Sequence, residues 1–174
     1  MITNANGRNI VKTVLDDVIS SLTSALSFGE NPITASSVIQ GDLGPEDTQI
    51  AKELEPALLV RTGDINGDAN EDDRTFGNWA MDIPVIIEYY DHSMNLNTDM
   101  DAARTVQAQL LWWWAEVNKR TAGYGDIVTT MTTGDGWIMS TESESPVYGR
   151  EEEDDPWGIL ATVTAVVRLR IARS

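Results

Sequence analysis

Residues 79 to 90 read WAMDIPVIIEYY, and their alternation decides the fold. Side chains of an extended strand point alternately to opposite faces. Trp79, Met81, Ile83, Val85, Ile87 and Tyr89 therefore share one face, and Ala80, Asp82, Pro84, Ile86, Glu88 and Tyr90 share the other. An apolar face backed by a mixed one describes a strand that packs on a core from one side only, as in antiparallel sheets. Pro84 has no N–H for a ladder, which predicts an edge or a bulge there.

Working outward, PALLVRTG (56 to 63) is a short apolar run closed by glycine, a strand that makes a long hairpin with 79 to 90. PITASSVIQG (32 to 41) reads as a short strand or extended connection, and GPEDTQIAKELEP (44 to 56) as one or two helical turns. The segment ILATVTAVVRLRIARS (159 to 174) alternates again. Ile159, Ala161, Val163, Ala165, Val167, Leu169 and Ile171 face one way, and Thr162, Thr164, Val166, Arg168 and Arg170 the other. IVTTMTTGDGWIMSTES (127 to 143) reads as a hairpin turning at Gly134, Asp135 and Gly136, and SESPVYGREEEDDPWG (143 to 158) as a polar connection.

Two stretches have helical periodicity. In residues 10 to 27, Ile10, Val14, Val18, Leu22 and Ala25 form one stripe with Val11, Leu15, Ile19 and Leu26 beside it, capped by Asn9 and ended by Gly29 and Pro32. Residues 99 to 121 open with Asp99 and Asp101 and close with Lys119 and Arg120, as the helix dipole favours, with Ala103, Val106, Leu110, Trp113 and Val117 as the core stripe. The expected fold is a single α+β domain over residues 1 to 174. Its mostly antiparallel sheet carries two main helices on one face, in the order α-β-β-β-α-β-β.

Composition narrows the function. The chain has 28 acidic against 12 basic residues, a net charge of −16 and no cysteine. A surface this acidic repels nucleic acid, and the lack of cysteine removes disulfides, thiolate zinc sites and cysteine nucleophiles. Lysine occurs only at Lys12, Lys52 and Lys119, a skew that resembles proteins of salt-loving microbes. No apolar run approaches membrane-spanning length and no secretion signal is read at the amino terminus, so a soluble protein is expected.

Catalysis finds little support. His92, the only histidine, reads as an exposed loop residue after the long strand, and no nucleophile elbow or phosphate-cradling glycine loop is present. No enzyme and no cofactor is expected. TGDINGDANEDDRTFG (62 to 77) places Asp64, Asn66, Asp68, Asn70 and Asp72 at every second position, the spacing of a calcium loop. Counted from Asp64, however, Gly67 stands fourth, Ala69 sixth and Thr75 twelfth, where a helix-flanked calcium loop needs Gly at six and Glu at twelve. A solvated acidic hairpin tip is the favoured reading, a strand-flanked cation site the lesser one.

Three consecutive tryptophans, Trp112 to Trp114, sweep about 200° of a helix surface, more than one core stripe absorbs. With Trp113 in the stripe, Trp114 falls on its shoulder and Trp112 on the side of Thr105, Gln109 and Glu116. Trp112 and Trp114 are accordingly expected at a subunit contact. Arg168, Arg170 and Arg173 gather near the carboxyl end, either to pair with carboxylates such as Glu151 to Asp155 or to meet a neighbouring subunit's acidic loop.

The amino-terminal helix, PALLVRTG, DIPVIIEYYD, DMDAARTVQAQLLWWW and ILATVTAVVRLRI, in this order, resemble the tail terminator, or tail-completion, proteins of long-tailed viruses of bacteria and archaea. The resemblance rests on element order and strand character. It implies a homo-oligomeric ring, usually of six subunits, located in the virion at the head–tail junction. It further implies that the ring caps the tail tube, docks the head connector, and passes DNA without gripping it. The long acidic tip and the tryptophan triplet depart from the family's pattern. The alternatives are a calcium-dependent binding module using residues 64 to 75, another neck or baseplate subunit, and, with least support, a small hydrolase.

Overall fold

The computed structural model describes residues 10–28, 33–41, 56–68, 78–92, 96–122, 136–149 and 158–172. In chain order the elements are α1 (Ile10–Phe28), β1 (Ser37–Gln40), β2 (Ala57–Thr62), β3 (Asn66–Asp68), β4 (Asn78–His92), α2 (Leu96–Ala122), β5 (Gly136–Ser143), β6 (Val147–Gly149) and β7 (Gly158–Ala172). The main path of the sheet is β1-β2-β4-β7-β5. Every neighbouring pair on it is antiparallel except β1 and β2. Two short strands extend the flanks: β3 pairs β4 past the end of β2, and β6 pairs β7 past the end of β5. The fold is α+β, with both helices on one face of a mostly antiparallel sheet.

The two alternating sequences become the centre of the sheet. β4 and β7 pair residue for residue from Asn78 opposite Ala172 to His92 opposite Gly158. Ile83, Val85, Ile87, Tyr89, Ala161, Val163, Ala165, Val167 and Leu169 are all buried beneath the helices. Val14, Val18 and Leu22 of α1, spaced four apart, enter the same core, as do Ala103, Val106, Leu110, Trp114 and Val117 of α2. Each large apolar side chain in such a layer contributes about 1.5–3 kcal/mol by leaving water. Buried Gln107 ties α2 to the sheet by donating to the carbonyls of Glu144 and Thr162. Gln109 ties the helix to the approach to β1, accepting from the Thr34 N–H at 2.9 Å and donating to its hydroxyl at 3.3 Å.

Several expectations are corrected. Pro84 lies in the central strand rather than at an edge. It is tolerated because its nitrogen faces the break between β2 and β3: the last β2 pair is Thr62 with Val85, and Gly63 N–H then donates to the Pro84 carbonyl at 2.9 Å. A Cβ on Gly63 would stand 3.2 Å from Pro84 Cβ and 3.3 Å from Ile86 Cδ1, so glycine permits this closure. His92 is the last residue of β4 rather than a loop residue. Val147–Gly149, read as part of a polar connection, forms a strand whose three residues are too few for alternation to reveal. Helix α2 begins at Leu96, ahead of the expected Asp99. The proposed caps at Asn9, Gly29 and Pro32, the turns at 44 to 55 and the hairpin turn at Gly134 and Asp135 lie outside the described residues.

Candidate functional site

The tryptophan triplet sorts by helical phase. Trp114 is fully buried, Trp113 is half-buried against the core, and Trp112 is 54% exposed. This corrects two assignments: Trp114, expected at a subunit contact, is core, and Trp113 is only its flank. At about 100° per residue, Trp114 falls within about 20° of Ala103 around the helix, whereas Trp113 lies about 80° away. The rings of Trp113 and Trp114 meet edge to face with centroids 4.6 Å apart. Trp114 Nε1 is buried and has no hydrogen-bond partner among the described residues, so the indole serves the core as an apolar body.

Trp112 stands on the outward stripe of α2 with exposed Thr105, Ala108 and Ala115, and half-buried Leu111 beside it. From Thr105 to Ala115 the helix reads TVQAQLLWWWA, without a single charged residue. The flanking polar groups are already engaged: the Thr105 hydroxyl donates to the Asp101 carbonyl at 2.7 Å, and the Gln109 amide is held by Thr34. The nearest charges toward the helix start, Arg104 and Asp101, approach each other at 3.5 Å. Other large apolar side chains exposed among the described residues are Ile65 after β2, Met139 on β5 and Val147 on β6.

Residues 151 to 155, expected as carboxylate partners, lie outside the described residues, but Arg168 is paired within the chain. Its Nε and Nη2 donate to the two carboxylate oxygens of Asp82, each at 2.6 Å, directly across the β4–β7 ladder. Arg61 makes a second fork to Glu88, 3.0 and 2.8 Å, between β2 and β4. Both forks lie on the sheet face turned away from the helices, one on each side of the Pro84–Ile86 stretch. The planar guanidinium matches a carboxylate with two parallel bonds, so each fork fixes register as well as charge. Neither pair was legible beforehand, because it depends on which residues the ladder sets opposite each other. Arg170 is in β7 opposite Ala80, and Arg173 lies outside the described residues.

Of the acidic stretch, Asp64 and Asn66 are exposed, while Asn66 to Asp68 form β3 against Asp82 to Ala80. An extended strand advances about 3.3 Å per residue, which spaces these positions apart instead of curling them round an ion. Asn70 and Asp72 lie outside the described residues. Among the described residues no three His, Asp or Glu side chains gather as a metal site, and no helix is long and apolar enough to cross a membrane. Asp17 of α1 is a separate oddity: its Oδ2 is buried without a partner among the described residues, and burial, then the neighbouring Asp16, raises its pKa.

No protein-family model matches the chain, and no curated protein is similar to it.

Proposed function

We propose that the protein is a structural virion subunit that assembles into a ring, caps the tail tube and joins it to the head connector, acting by surface complementarity rather than by chemistry. The single observation that carries the reading is Trp112, a large aromatic side chain more than half exposed within the charge-free run from Thr105 to Ala115. Exposed tryptophan on such ground is the mark of a contact surface, since interfaces concentrate binding energy in buried aromatics. Ile65, Met139 and Val147 place further exposed apolar side chains on other elements, which suits a subunit that meets neighbours on more than one side. The element order supports the resemblance to tail terminators, and the net charge of −16 suits a channel that lets DNA pass without holding it.

Light scattering at low and near-saturating salt, with and without chelator, tests the proposal. A mass near six times 19.1 kDa, or a salt-promoted rise toward it, supports the ring. A salt-indifferent monomer whose melting temperature falls with chelator replaces the ring by a calcium-dependent module built on residues 64 to 75.

A further inference from the structure

We infer that the chain is built of two like halves that pair about an approximate two-fold axis, and that Asp82 and Arg168 are the residues that make a first half select a second half. Each half runs helix, edge strand, short strand, long strand: α1, β2, β3 and β4 in the first, α2, β5, β6 and β7 in the second. The long strands match place for place. β4 covers 78 to 92 and β7 covers 158 to 172, fifteen residues each and eighty apart, and the buried positions 83, 85, 87 and 89 recur at 163, 165, 167 and 169. In both halves a three-residue break, 63 to 65 or 144 to 146, separates the edge strand from the short one. Both breaks open on the same bond. The first residue past the edge strand donates its N–H to the long strand, Gly63 to the Pro84 carbonyl at 2.9 Å and Glu144 to the Thr162 carbonyl at 3.1 Å. Val85 stands opposite Ala165, its own counterpart eighty residues on, which puts the axis between them. An axis there, normal to an antiparallel ladder, leaves both helices on one face, as observed. β1 has no counterpart among the described residues, and no residue of β4 recurs at the matching place in β7, so the repeat is one of pattern rather than identity.

Like halves pose a problem of selection, because long strands of the same alternation fit against their own kind as well as against each other. Three residues before the axis β4 carries Asp82, and three after it Glu88. Laid against a second β4 in the same register, Asp82 would face Glu88 twice over, and like charges directly opposite each other are destabilising. β7 carries Thr162 and Arg168 at those places, so β7 against β7 gains no ion pair. Only β4 against β7 sets Asp82 opposite Arg168, where the two bonds of 2.6 Å form, while Glu88 is taken by Arg61 of its own half. The fork therefore selects unlike halves, whether they belong to one chain or to two. Where two copies fold together, the same rule permits them to exchange second halves, since each exchanged pair reproduces the native ladder. This inference stands apart from the ring and from Trp112.

Charge reversal in the full-length chain tests it. Asp82→Arg and Arg168→Asp each set like charges across the ladder, so each should unfold at a lower urea concentration than the parent, and the chain carrying both should recover most of the loss. The two single variants, unfolded in urea and refolded together, restore opposite charges only by exchanging halves. With an affinity tag on the Asp82→Arg chain, the expected result is capture of the untagged Arg168→Asp chain several-fold above that seen when the two are refolded separately and then mixed. Equal capture by both procedures indicates contact between finished surfaces, as a ring would give, and overturns the inference. No capture after joint refolding overturns it as well, as does a single variant as stable as the parent or a double variant that recovers nothing. The ring is read from the parent's mass by light scattering, whatever the capture shows, so the two readings fail separately.

Discussion

Asp82 and Arg168 stand directly opposite each other in the central ladder, 86 residues apart in the chain, and share a two-pronged ion pair at 2.6 Å. Both side chains are about four-fifths covered, so removing one partner leaves the other poorly solvated. Asp82→Asn or Arg168→Met should each cost about 1–3 kcal/mol, while the variant that combines both should cost less than the sum of the two single changes. A double-mutant cycle by urea unfolding measures this. Additive losses would mean that the fork contributes nothing as a pair.

Trp112 and Trp114 predict opposite outcomes for the same substitution. Trp114→Ala empties the core and should cost about 3–5 kcal/mol, whereas Trp112→Ala should leave monomer stability within about 0.5 kcal/mol. Thermal unfolding of the dilute protein distinguishes them. A collapse of the Trp112 variant would place that indole in the core too.

Gly63→Ala puts a methyl group 3.2 Å from Pro84 Cβ, closer than ordinary contact. The clash should cost about 1–3 kcal/mol, a fall in Tm of about 2–4 °C for each kcal/mol at this chain length. An unchanged melting temperature would show that the β2–β3 break yields freely.

Asp17 gives a pH signature. Folding raises its pKa above the ordinary 3.8, by burial first and by Asp16 second, so the native state keeps the proton to higher pH than the unfolded chain does. Stability from this group is therefore complete below pH 3.8 and is lost as pH rises through the native value. Asp17→Asn, which stays neutral, should raise Tm at pH 7, and the gain should vanish below pH 3.8. A gain of equal size at both pH values would remove charge as its cause.

What could be read in advance follows the length of each pattern. The fifteen-residue strands β4 and β7 repeat their alternation often enough to declare both faces, and each turned the predicted face to the core. Three-residue strands such as β3 and β6 hold one period and a half, so they passed as loops. Trp114 was legible and misread: it sits four residues after Leu110 and three before Val117, the spacing of a core position. The outward placing of Trp112 followed from the same arithmetic. Asp82 with Arg168, and Arg61 with Glu88, depend on tertiary register, which no local window contains. Pro84 misled because a rule about strand edges applies equally to a central strand whose neighbour changes midway.

The last of the described strands is also an inner one: β7 lies between β4 and β5, and nearly all its partners precede it by many residues. A growing chain can form α1 and α2 early, but it cannot close the sheet beneath them until β7 has been made. Folding is thereby governed by long loop closures, slow in the manner of high contact order, and β4 lacks its longest partner until β7 has been made. Deletion of β7 would separate β5 from β4 and split the sheet, which makes β7 the element whose arrival times the closing of the sheet.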